Sequence, residues 1–154
     1  MERPPMTLNS EVQSLQALPM FRGVDAAKLK LLAFASERIS FESNEYVFHQ
    51  GDMSDAAYVV LSGSVHVVLE TNGACLKVAD LPRGSVVGEM GILCDSPRSA
   101  SIVAAEPTEA LRIRKDLFFD LLNEFPKLAI AVMRDIAVRL ERTNARLAAM
   151  QSQS

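Results

Sequence analysis

A chain of 154 residues, 49% of them hydrophobic, has enough apolar surface for one compact domain or a domain with appended helices. Its formal charge of −3, without a basic tract, suits a nucleic-acid backbone poorly, so no nucleic acid is expected on this chain. MERPPMTLNSEVQSLQ has no apolar signal core, and no apolar run nears the roughly 18 residues of a membrane span. Cys75 and Cys94 stand outside any CxxC or metal-ligand spacing and read as reduced thiols, which with the missing signal points to the cytoplasm and away from membranes. From Glu11 to Glu37, Val12, Leu15, Leu18, Leu29, Leu32 and Ala33 recur at helical spacing, broken by Pro19 and Gly23. From Ile39 to Lys115, short β-branched or aromatic stretches such as AYVVL and SVHVVL alternate with turn signals, Asn72-Gly73 being the clearest hairpin. From Asp116 onward the pattern is helical again, with Pro126 suited to the first turn of a long final helix and QSQS to a fraying tail.

The predicted fold is α+β: an antiparallel β-roll, or jelly roll, flanked by N-terminal helices and a long C-terminal helix. One domain is expected over 1–154, with entry helices at 11–37, the roll at 38–115 and C-terminal helices at 116–149.

Inside the roll, GEMGILCDSPRSAS (88–101) reads as neither ordinary core nor ordinary loop. Gly88 and Gly91 let backbone approach a ligand closely, and a single helical turn from Glu89 to Leu93 would aim free N–H groups at an anion. Arg98 can add a charge-assisted contact to phosphate oxygens, Ser99 and Ser101 add hydroxyls, and Ala100 leaves room. A carboxylate such as Glu89 fits only if the ligand also carries hydroxyl donors, so a phosphorylated sugar satisfies both charges. Taken alone, Arg98 also fits a solvated loop arginine paired with Asp95 or Glu89.

The ordered set Gly-Glu, apolar turn, Pro-Arg-Ser-Ala and strand resembles the phosphate-binding cassette of the cyclic-nucleotide-binding domain superfamily. LPMFRGVDAAKLKLLA resembles that group's entry helices, and VFHQGDMSDAAYVVLSGSVHV its first hairpins, so the likeness covers nearly the whole chain. The resemblance implies cAMP or cGMP as ligand and no cofactor. It implies that Glu89 holds the ribose 2′-hydroxyl, that Arg98 and Ser99 hold the cyclic phosphate, and that Gly88, Met90 and Ala100 also contact the ligand. Val67, Ala79 and Leu81 match the apolar wall around the base. Val87, where many members carry phenylalanine, and Ala79, where the catabolite activators carry serine, depart from the pattern and loosen base preference.

In the final helix, Ile130, Met133, Ala137, Leu140, Asn144 and Leu147 alternate at spacings of three and four. That is an a/d seam with one polar position, which suits a homodimer with fixed register. Leu128, Val132, Ile136 and Thr143 form a neighbouring face able to cover the roll. The resemblance also implies that Thr143 and Asn144 contact the base. Together these features predict a sensor that couples ligand binding to the position of its last helix. His49 and His66 lie in strand-like runs without companion ligands, and no P-loop, GxSxG or HExxH occurs, so neither a metal nor an enzyme activity is expected. The alternatives are a ligand-binding fragment of a larger regulator (a transcription factor, channel or enzyme) and a non-binding dimerisation module, with the downstream effector unassigned.

Overall fold

The computed structural model describes residues 8–152. Helix α1 (Leu8–Gln16), a 3-10 turn (Pro19–Phe21) and helix α2 (Ala26–Ala35) lead into strands β1 (Glu37–Phe41), β2 (Tyr46–Phe48), β3 (Ala56–Ser62), β4 (Val65–Thr71), β5 (Ala74–Leu81) and β6 (Val86–Val87). The short helix α3 (Glu89–Leu93) precedes β7 (Ser101–Ala104) and β8 (Thr108–Arg114), and α4 (Lys115–Glu124) and α5 (Pro126–Ser152) close the chain. The strands form two four-stranded antiparallel sheets, ordered β1-β8-β3-β6 and β2-β7-β4-β5. This is the helix-flanked β-roll expected from the alternating texture.

Period-two alternation sorts the strand residues into two cores. Ala56, Tyr58, Val60, Val65, Leu81, Val87, Ile102 and Ala110 fill the interior between the sheets. Ala57, Val59, Leu61, Val86, Leu111 and Ile113 face the other way, against Leu29 and Leu32 of α2, Phe118 of α4 and Leu128 and Val132 of α5. Strand β3 is therefore buried on both faces, which is why AYVVL reads as a continuous apolar run instead of an alternating one. Asn72 and Gly73, both at positive φ, form the two-residue turn between β4 and β5, since Thr71 and Ala74 are paired.

The element boundaries differ from expectation at a few places. Helix α1 begins at Leu8, ahead of Glu11. Glu37 belongs to β1, because it pairs with Arg112 of β8 and strand pairing outweighs the helical pattern before it. Helix α4 takes Lys115, and α5 runs past 149 through Ser152, so half of the expected fraying QSQS is helical and the rest lies outside the described residues. His66 lies half-buried in β4 as expected, but His49 is exposed beyond the end of β2 and stacks on Tyr46. Among the described residues, no helix is long and apolar enough to cross a membrane, and no cluster of His, Cys, Asp and Glu could hold a metal.

Leu111 is 1% exposed where the first sheet meets the helices. Leu111→Ala should lower the unfolding free energy by about 2–5 kcal/mol through lost burial and a residual cavity. Urea unfolding should show a lower midpoint at unchanged slope.

Candidate functional site

The cassette begins where β6 leaves the interior and Gly88 turns the chain at φ 84° into α3. A side chain at Gly88 would meet Arg98 Nη1 at 2.6 Å, and one at Gly91 would overlap the Ser54 hydroxyl. Both glycines are therefore close approaches, to Arg98 and to Ser54 of the protein itself. The backbone of Arg98 is pinned by two hydrogen bonds to the preceding turn: its N–H donates to Asp52 O and its carbonyl accepts from Gly51 N, each at 2.8 Å.

Held this way, the Arg98 side chain points inward and is 4% exposed. Nη1 donates to Gly88 O at 2.8 Å and Nη2 to Ala56 O at 2.6 Å, while the guanidinium carbon lies 4.1 Å from the centre of the Phe48 ring. Asp55 stands 3.5 Å from Nη2 and shares its carboxylate with Arg112. Neither Asp95, paired with Lys115, nor Glu89 is its partner, so the solvated-arginine alternative is overturned. Burial draws the Arg98 pKa down, opposed by Tyr58 and Asp55, yet a guanidinium keeps its charge. Arg98 Nε has no hydrogen-bond partner, so the buried cation retains an unused donor.

Glu89, in the first turn of α3, is 1% exposed. Oε1 accepts from Arg139 Nη1 at 3.1 Å, and Oε2 has no partner. Arg139 reaches in from α5, donating also to Val86 O at 2.6 Å and pairing with Asp135 one turn earlier. Burial raises the Glu89 carboxyl above its ordinary range, and the Arg139 charge pulls it back down. The result is a buried acceptor oxygen on α3 and a buried donor nitrogen on the loop after it, with no internal partner for either. Such groups cost free energy unless something pairs with them.

Several other expected residues lie close by. Val67, Ala79 and Leu81 share the inward face of the β4–β5 pair, with Val67 opposite Ala79 and Val65 opposite Leu81. Ser99 is exposed and Ala100 half-buried beside Arg98, and Met90 exposes 47% of its surface at the first turn of α3. The Ser101 hydroxyl, expected to face a ligand, is buried instead, accepting from Gln50 N at 2.8 Å and facing Glu70. Thr143 does not cover the roll: it is exposed, and its hydroxyl donates back to Arg139 O at 3.0 Å. The covering apolar face ends at Ile136, and beyond it two long arginines reach the roll, Arg139 to Glu89 and Arg146 to Val78 O. Thr143 and Asn144 sit on exposed surface between those two anchors.

The sequence reading missed Arg139. The stripe Leu128, Val132, Ile136 continues at i+3 to this arginine, and a cation in line with buried apolar positions signals a buried carboxylate to meet it. Phe48 was missed as well, because a strand aromatic carries no mark of the cation above it.

The family description "Cyclic nucleotide-binding domain" matches residues 38–125. Over 108 residues, 70% of the chain, the sequence is 37% identical to lysophospholipase nte1 of Aspergillus oryzae, and it spans only 7% of that protein. The catabolite activator protein of Thermus thermophilus superposes with a TM-score of 0.73 at 30% identity, covering 86% of this chain and 63% of that one. The regulatory subunit of a cAMP-independent protein kinase A from Trypanosoma brucei gives 0.75 at 26% identity, covering 91% and 51%.

The raised Glu89 carboxyl has a pH signature. A folded carboxyl whose pKa lies above its unfolded value takes up protons on folding, so the stability it contributes is complete below the unfolded pKa and is lost as pH rises through the folded one. Glu89→Gln keeps the shape and cannot ionise. From pH 4.5, the unperturbed carboxyl value, toward neutrality the parent should lose more thermal stability than this variant. Parallel melting curves across that range would contradict a raised, buried carboxyl.

Proposed function

We propose, from a chain that belongs to the cyclic nucleotide-binding domain family, that it binds a cyclic nucleotide between Glu89 and Arg98 and reports occupancy through α5. The observation that carries this reading is the pair of unpartnered buried atoms of the cassette, Glu89 Oε2 and Arg98 Nε. A ribose hydroxyl supplies the donor that Glu89 lacks, and a cyclic phosphate the acceptor that Arg98 lacks. Ser99, Ala100, Gly88 and Met90 border the phosphate, and Val67, Ala79 and Leu81 give the base an apolar wall. Thr143 and Asn144, exposed on α5 in this structure, would have to be brought over the base to favour cAMP over cGMP as the ligand.

Arg139 explains how binding would be transmitted. The carboxylate that receives the ribose already holds α5, so a ligand that changes the Glu89–Arg139 contact favours one helix placement over another. Only such a differential contact can shift the equilibrium. On α5, Met133, Leu140 and Leu147 of the a/d seam are each more than half exposed, which supports a second copy as their cover. The domain would act as a regulatory part of a longer cytoplasmic protein, without catalysis of its own. The short span it matches in the lysophospholipases, and its two exposed free cysteines, support that reading.

A second reading is favoured by the way the site satisfies itself: Arg98 is spent on two carbonyls and Glu89 on Arg139, as a ligand-independent dimerisation module would have them. Calorimetric titration with cAMP and cGMP separates the two. Saturable one-site binding, tighter for cAMP, is expected, and no heat with either nucleotide at millimolar concentration would leave the dimerisation module standing.

Arg98→Ala should weaken nucleotide binding by about 30-fold or more, since losing a desolvated charge partner costs roughly 2–5 kcal/mol. Arg98→Lys, which keeps the charge and loses the fork, should fall in between. Asn144→Leu should strengthen or re-specify self-association by removing the polar constraint on register. It should also cost nucleotide affinity, about 0.5–1.5 kcal/mol for a lost base contact. Sedimentation and titration on that one variant read both effects, and no change in either would place Asn144 outside seam and site alike.

A further inference from the structure

Between the 3-10 turn and the first turns of α5 lies a cleft of about 330 Å³ that shares no lining residue with the cassette. Its charge is one-sided. Arg22, Lys127 and Arg134 line it, no carboxylate does, and none of the three forms an ion pair among the described residues. Elsewhere the surface behaves differently: the cleft lined by Arg112, Arg114 and Lys115 also holds Asp55 and Asp116, and its cations pair with acids. Three cations without an acidic partner lining one small cleft, in a chain of net charge −3, suit an anion from outside.

Lys127 lies along Gly23, where a side chain would meet its Cδ at 3.6 Å, and the first turn of α5 adds the positive end of the helix dipole. The rest of the lining is apolar, chiefly Pro19, Met20 and Ile130. Self-association through the α5 seam does not neutralise the charge. With Ile130 and Ala137 at a and Met133 and Leu140 at d, Lys127 and Arg134 fall at e, and the g residues of a parallel partner are Ala129, Ile136 and Thr143, none of them anionic.

We propose that this cleft binds a phosphate ester carried on an apolar stem, with Arg22, Arg134 and Lys127 on the phosphate oxygens and the stem along Pro19 and Met20, which lie outside the α5 seam. The volume sits at the small end of ligand pockets, enough for one compact head group. Two guanidinium forks and an ammonium match the several oxygens of a phosphate better than the two of a lone carboxylate. An acidic peptide would spread its charges along a surface, whereas these three line one small cleft.

The test is titration of the whole chain with dodecyl phosphate below its micelle concentration, inorganic phosphate and dodecyl maltoside. Dodecyl phosphate should bind at one site, at least about tenfold tighter than either of the others. The double variant Arg22→Ala/Arg134→Ala, both at exposed positions, should keep the parent melting temperature and lose about tenfold or more in affinity for dodecyl phosphate. Equal affinity for the maltoside would reduce the cleft to an apolar patch, and equal affinity for inorganic phosphate would remove the stem. Binding unchanged in the double variant would place the amphiphile elsewhere, and any of these three results overturns the proposal.

Discussion

A carboxyl that is 1% exposed is costly as an anion unless a cation meets it, and in this molecule the cation is on another element. Burying an isolated ion costs several kcal/mol even after relaxation, so Glu89 obliges Arg139, and with it α5, to lie across the roll. The helix is otherwise held near its start, where Leu128 and Val132 pack against the helical side of the first sheet. Beyond Ile136 its hold on the roll passes from packed side chains to the reach of arginines. A contact made by one long side chain is less constrained than a packed face.

The cassette depends in turn on β3. Ala56, buried in that strand, lends its carbonyl to Arg98, and Tyr58 beside it packs near Phe48, whose ring lies under the guanidinium. The first sheet therefore reaches the site through a strand enclosed on both sides. The guanidinium is thereby held in one position by two carbonyls and an aromatic ring.

Much of this was legible in the chain. Alternation and turn residues mark the roll, Asn72-Gly73 marks its hairpin, and Glu89 and Arg98 stand out because charges flanking a glycine turn are unusual in a β-rich stretch. What escaped was reach. Thr143 has the spacing of a roll-facing residue, but the helix no longer touches the roll at that level, and linear spacing carries no information about where two elements diverge. Ser101 was misplaced for a related reason: its hydroxyl has the right chemistry for a ligand, and only the fold shows Gln50 already bonded to it. Arg139 is the instructive omission, because its signal was present as a cation continuing an apolar stripe.

The order of strands in the first sheet has a consequence for synthesis. β8 lies between β1 and β3, so Glu37 pairs with Arg112 and Ala56 with Arg114. A ribosome therefore releases β1 and β3 long before it has made the strand that joins them. In that interval the most apolar strand of the chain has both faces uncovered and a free edge. Closure of such distant pairings is slow, and the exposed intermediate is the state most open to aggregation. The nascent chain is thus most vulnerable in the interval that ends when Thr108–Arg114 emerges.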